Sequence, residues 1–234
     1  MGRRLLAALL DPLSGVAPLV GREVWVLPLV LLVLGSSLSG MAQGLRVQVA
    51  PQVIAELAAG GKLASTTEQE LREQVVTAGR VRLVLGVARG LLLVPLLVLG
   101  ATVAVLFGGW LLGAPGAFWR AFAAVAVATL PLALREWLLA SCLLRQGELL
   151  AVDAARLLPS SLAALLPATT PVARTLLGAV DFFRLWSLLL LGLGFAAASG
   201  LPRWKALVAV LVAYLAFVGV WEIGLPGLLP ETGR

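Results

Sequence analysis

The sequence predicts an all-α, polytopic membrane protein: one domain of about five membrane-spanning helices with interfacial helices beside them. Two observations carry this. Of the 234 residues, 60% are hydrophobic and only 13% are charged, at a mean hydropathy of +1.01, more apolar sequence than a soluble domain can use. Much of it falls in runs long enough to cross a bilayer, which takes ~20 helical residues.

Taken in order, Met1–Leu10 places Arg3 and Arg4 ahead of Leu5, Leu6, Leu9, Leu10 and Leu13, the pattern of a short helix lying in the interface. Its apolar run ends at Asp11-Pro12 with no small-residue cleavage site, so it reads as retained rather than as a signal peptide. The first span is placed at 24–45, with Trp25 in the aromatic belt and a polar second half containing Ser36, Ser37, Ser39 and Gln43. Small polar residues there favour close helix packing and interhelical hydrogen bonds.

The segment Arg46–Arg82 is the one sizeable hydrophilic stretch. Pro51, Val53, Ile54 and Leu57 predict a helix ending at Gly60-Gly61. Ser65 with Glu68 reads as a capping box opening a second helix, with acids in its first turns and Arg80 and Arg82 at its end. At ~37 residues the segment is too small for a core of its own, so it is expected to pack on the membrane part or on a partner. The second span is placed at 83–112, with Arg89 near its start and Pro95 inside it. After the turn at Gly113–Gly116, Phe118-Trp119-Arg120 marks an interface before the third span at 121–144, which Pro131 should kink. Residues 146–174, broken by Pro159, Pro167 and Pro171, read as interfacial or half-inserted helices. The fourth and fifth spans are placed at 176–201 and 204–225.

The third span is the informative one. The uncharged run Ala121–Leu134 is too short to cross alone, so Arg135 and Glu136 are carried into the membrane. Adjacent helical positions point ~100° apart, which places these two badly for neutralising each other and sends each to partners on other helices. Alternating spans bring Arg89, Arg135, Glu136, Asp181, Arg184 and Glu222, three of each sign, into the leaflet away from the N terminus. These six form the candidate intramembrane polar network. Asp181 and Arg184, three apart on one helix face, offer an acid and a base to Arg135 and Glu136. The bland alternative keeps Asp181 and Arg184 at the interface, with Leu185–Leu201 spanning alone and Trp186 in the belt.

Composition removes many chemistries. With no histidine, a Ser-His-Asp triad, an HExxH zinc site and histidine-ligated haem are excluded. Cys142, the single cysteine, lies in an apolar span and reads as a buried thiol. Of Asp11, Asp153 and Asp181 only the last is near a span, so a paired-aspartate protease is not expected. No catalytic residue, metal site or cofactor is assigned. No basic cluster interleaved with aromatics is present, so nucleic acid is not an expected partner. The arginine, alanine, leucine and valine bias is that of a GC-rich bacterial coding sequence.

The run Asp181-Phe182-Phe183-Arg184-Leu185-Trp186, a leucine-rich span with Gly192 and Gly194, and Trp204-Lys205-Ala206 opening the last span resemble the C-terminal half of bacterial Yip domain proteins. Asp11-Pro12 before a first span bearing Pro28, Phe118 after a short turn, and Ser161-Leu162-Ala163 extend the resemblance over most of the chain. It implies a five-helix bundle in the cell membrane with a cytoplasmic N terminus, an outside C terminus and no established enzymatic activity. The plain count of basic residues leans the other way on orientation, with Arg46, Lys62, Arg72, Arg80, Arg82 and Arg145 all on the side opposite Arg3 and Arg4. The family is named for relatives that interact with Ypt/Rab GTPases. This chain lacks their LYGP-type segment and long cytosolic N-terminal region, so GTPase binding is not carried over.

Three functions compete at this stage. A non-catalytic protein would bind another membrane protein, or a second copy of itself, through helix faces or Arg46–Arg82, with membrane lipids around it. A small transporter or channel would use the charged leaflet as a half-membrane vestibule. A lipid-handling enzyme would use Glu136 or Asp181 as a base.

Overall fold

The computed structural model describes residues 2–20, 24–150, 157–166 and 170–220. Among these, five helices are long and apolar enough to cross a membrane: Val26–Arg46, Glu68–Leu111, Phe118–Arg145, Phe182–Ser199 and Arg203–Val220. The described residues form no strand, only isolated bridges joining Val47 to Leu149 and Ser161 to Asp181. The protein is an all-α bundle.

The third span sits at its centre. Every residue from Ala121 to Leu130 is buried, and the alanines among them let neighbouring helices approach closely. A Cβ added to Gly194 of the fourth span would stand 2.9 Å from the Cβ of Ala124. Around this axis Leu32, Val98, Phe122, Val125, Phe195 and Val210 form one core from all five spans. The outward faces of the second and fifth spans carry the opposite character: Leu92, Leu96, Leu97, Trp110, Trp204, Val212 and Leu215 are exposed. A protein in water rarely shows so broad an apolar surface; a bilayer is the solvent that suits it.

Prolines set the irregularities. The second span and the polar helix before it form one helix of 44 residues. Pro95 lacks an N–H and its ring crowds the carbonyl one turn back. The helix accommodates it with a π turn over Arg89–Leu93, where the Val94 N–H reaches the Arg89 carbonyl. In the third span Pro131 has the same effect. The helix Phe118–Ala128 stops, the Thr129 N–H is shared between Val125 and Ala126 at 3.2 Å each, and a new helix runs Leu130–Arg145.

Three expectations are corrected. The fourth span begins at Phe182, not Leu176, because Asp181 caps it; Leu176–Ala179 belong to a separate helix, Pro171–Ala179. The capping box lies at Thr67 and Glu70 rather than at Ser65 and Glu68, since the Ser65 hydroxyl is turned back onto the Lys62 carbonyl at 3.0 Å. The N-terminal helix Gly2–Leu10 is more than a surface anchor. It doubles back at Asp11, and Leu5, Ala8, Val16 and Leu19 are buried with Val127, Leu130, Leu190 and Leu193 of the third and fourth spans. Part of its apolar face is thus covered by the bundle, while Leu6, Leu10 and Leu13 stay exposed.

The Arg46–Arg82 segment holds a helix over Ala50–Ala59, ended at Gly60 and a left-handed Gly61 at φ +67°, and the first turns of the long helix. In the 146–174 region, a single turn over Leu162–Leu165 precedes Pro171–Ala179.

Candidate functional site

The polar cluster is assembled where the first, third and fourth spans meet. The first span supplies it with small residues. Gly35 lies under the Trp137 ring, and a Cβ there would come within 2.9 Å of that ring and 3.3 Å of the Glu136 Cβ. The close approach lets the Trp137 Nε1–H donate to the Leu31 carbonyl at 3.0 Å and the Ser39 hydroxyl donate to Glu136 Oε2.

Arg135 and Glu136 neutralise each other, contrary to the expectation from their adjacent positions. Arg135 Nη1 stands 3.0 Å from Glu136 Oε1. Helical geometry fixes the directions of the two Cβ atoms, but a long arginine side chain bends around the helix and brings its guanidinium back to its neighbour. Side-chain exposure is 34% for Arg135 and 15% for Glu136.

Asp181 has a different task from the one its spacing implied. It precedes the fourth span instead of sharing a face with Arg184. Its carboxylate accepts from the backbone N–H groups of Phe183 and Arg184 at 3.0 and 3.1 Å, satisfying donors that open helix termini leave unpaired. The Ser160 hydroxyl donates to its other oxygen, and Arg135 Nε approaches that oxygen at 3.9 Å. With 5% of its side chain exposed, Asp181 is the most enclosed member. Backbone bonds from Leu162 N–H to the Val180 carbonyl and from Phe182 N–H to the Ser160 carbonyl, 3.0 and 2.8 Å, hold Ser160 in place.

Of the six residues assigned from sequence, the structure therefore brings Arg135, Glu136 and Asp181 into ionic contact, with Arg184 joined to Asp181 through its backbone. Arg89 lies elsewhere, on the far side of the first span, in a cleft with Gln43, Gln52 and Arg82. Glu222 falls outside the described residues. Sequence reasoning noted Ser39 without tying it to Glu136 and missed Ser160 and Trp137. It also missed a pair of GxxxG patterns, Gly40–Gly44 and Gly86–Gly90. These set the backbones of the first and second spans against each other, with Gly40 on Gly86, Gly44 on Leu83 and Gly90 on Ser37. That signal was readable.

Chemically the cluster is occupied. A carboxylate offers about four acceptor positions; Asp181 uses three on clear hydrogen bonds and Glu136 uses two. No group of three or more His, Cys, Asp or Glu side chains among the described residues is placed to hold a metal ion. The chain matches no family model, no curated protein and no solved structure.

Proposed function

We propose that this chain is a non-catalytic integral membrane protein of a bacterial inner membrane, an accessory or membrane-organising subunit that engages a partner protein through its extramembrane arm. The arm is the polar start of the long helix, Glu68–Arg82, together with the helix Ala50–Ala59. The observation that carries the reading is that Glu68–Ala88 is a regular, capped helix with no buried residue. Val76 and Val81 stand exposed on it, 53% and 50%. A helix gains most of its stability from tertiary packing; the first span supplies it at Leu83 and Gly86, while the turn carrying Val76 is left largely uncovered.

The internal pairing of Arg135, Glu136 and Asp181 supports the same reading against a vestibule, since a transport path needs polar groups free to meet a solute. The Yip-like motifs at Asp181–Trp186 and Trp204–Ala206 belong with this proposal, as does a cytoplasmic N terminus.

The test is site-specific photo-crosslinking in native membranes, with the crosslinker at Val76 or Thr77 and, as a control, at lipid-facing Leu97. A protein adduct of one size from both arm positions, absent at Leu97 and matched by stoichiometric co-purification, is expected. Arm positions that crosslink only to lipid or not at all would overturn the reading.

A further inference from the structure

The first span divides the charged end of the molecule in two. On the side away from Arg135, a cleft of about 510 Å³ opens between this span, the helix Ala50–Ala59 and the long helix. The close contact of Gly40 with Gly86 lies in its wall, and Val53 and Leu85 make part of the wall apolar. Arg82 and Arg89 line it from the long helix, two turns apart and so on the same face. Arg82 Nη1 donates to Gln52 Oε1 at 3.3 Å, which leaves most of its fork unused. Arg89 is exposed and has no ion pair among the described residues.

Depth gives this arrangement its meaning. From Gly90 to Leu112 the chain is uncharged, long enough to cross by itself at ~20 residues. Arg89 is the last charge before that run, so apolar length alone sets it at the boundary of the crossing, where an arginine without a protein counter-ion calls for an anion. A phosphate matches a guanidinium fork in shape and charge. Directly beyond it on the same helix, Leu92, Leu93, Leu96 and Leu97 are exposed, a surface for hydrocarbon chains.

We propose that this cleft binds one glycerophospholipid, its phosphodiester held by Arg82 and Arg89 and its acyl chains laid along the exposed leucines below. Glu56 lines the same cleft. Its carboxylate favours a headgroup that carries an ammonium beyond the phosphate, so phosphatidylethanolamine is preferred over phosphatidylglycerol. Arg82 and Glu56 belong to the arm, but lipid binding is read on purified protein with no partner present, so its failure and the failure of arm docking are told apart.

Native mass spectrometry of the full chain in mild detergent, titrated with each lipid, reads the occupancy directly. One saturable phosphatidylethanolamine is expected. Arg89→Gln should weaken it at least about tenfold, the loss of a charge-assisted hydrogen bond. Glu56→Gln should abolish the preference between the two lipids. Arg72→Gln, whose arginine pairs with Glu68 on the arm away from the cleft, should change neither. Helical circular dichroism and elution volume report whether each variant folds; should Arg89→Gln not fold, Arg82→Gln and the charge-keeping Arg89→Lys decide, the first weakening binding and the second, a point charge without the fork, keeping part of it. Wild-type occupancy in Arg82→Gln or Arg89→Gln would overturn the site. Equal displacement of the lipid by millimolar inorganic phosphate would reassign it as a simple anion site and overturn the lipid proposal. Equal affinity for both lipids would overturn the role given to Glu56.

Discussion

Glu136 is held from two helices at once, by Arg135 on its own helix and by Ser39 on the first span. Arg135 in turn reaches the carboxylate that caps the fourth span. Charges therefore fasten the third span to the fourth and a hydroxyl fastens the first to the third, and removing a single charge strands the rest where an unpaired charge is costly. Arg135→Gln and Glu136→Gln should each lower stability in detergent by about 1–3 kcal/mol, the lower end reflecting the partial exposure of Arg135. The double variant should recover part of the loss. Ser39→Ala should cost about 1 kcal/mol. Silent single variants would mean that the pair is solvated, where it is worth ~0–1 kcal/mol. Asp181 was readable as a cap, being an aspartate directly before Phe-Phe-Arg-Leu. The apolar run Leu176–Val180 on its other side hid it inside a longer span. The Arg135–Glu136 pair was not readable, because spacing along a helix fixes where a side chain starts and not where a long flexible one ends.

Among the elements, the first two spans depend on glycine more than on any polar contact. A Cβ on Gly44 would lie 2.8 Å from the Leu83 Cα, and one on Gly86 would meet the backbone of Gly40. Gly86→Val should separate the two helices and lower the melting temperature, at a cost of about 1–3 kcal/mol or more. Gly79→Ala, on the arm and with nothing within 4 Å of an added Cβ, should instead gain about 0.5–1 kcal/mol. Equal effects at the two glycines would contradict the close packing. The arm has its own electrostatic signature. The Thr67 backbone N–H donates to the Glu70 carboxylate at 2.8 Å, and this bond, helped by the Thr67 hydroxyl, lowers the Glu70 carboxyl below its ordinary 4.5; the Thr67 side chain also accepts from the Glu70 amide. A depressed carboxyl stabilises the folded arm above the unfolded value and loses that contribution as pH falls through the folded one. Amide exchange across residues 67–71, corrected for its intrinsic pH dependence, should therefore lose protection as pH falls below about 4.5. Glu70→Gln should remove the pH dependence.

At the scale of the whole molecule, the five spans were legible because crossing a bilayer is a matter of apolar length, which composition records directly. Alternation of those spans also gave the height of the charges correctly enough to bring Arg135 near Asp181. It carries no information about angle around the bundle axis, and that is why Arg89 and Arg135 were expected together and lie on opposite sides of the first span. The N-terminal hairpin escaped for a related reason: amphipathic sequence shows an apolar face without showing what covers it. Both the arm and the charged cluster draw their meaning from an odd number of crossings between the N terminus and residues 46–82. The direct measurement is labelling in intact cells with a membrane-impermeant thiol reagent, using Arg4→Cys and Lys62→Cys in turn on a Cys142→Ala background. Odd crossing predicts that the two positions react from opposite sides of the membrane, one only after the cells are opened. Reaction of both from the same side would contradict the five-span arrangement and, with it, the placement of the arm and of every charge discussed above.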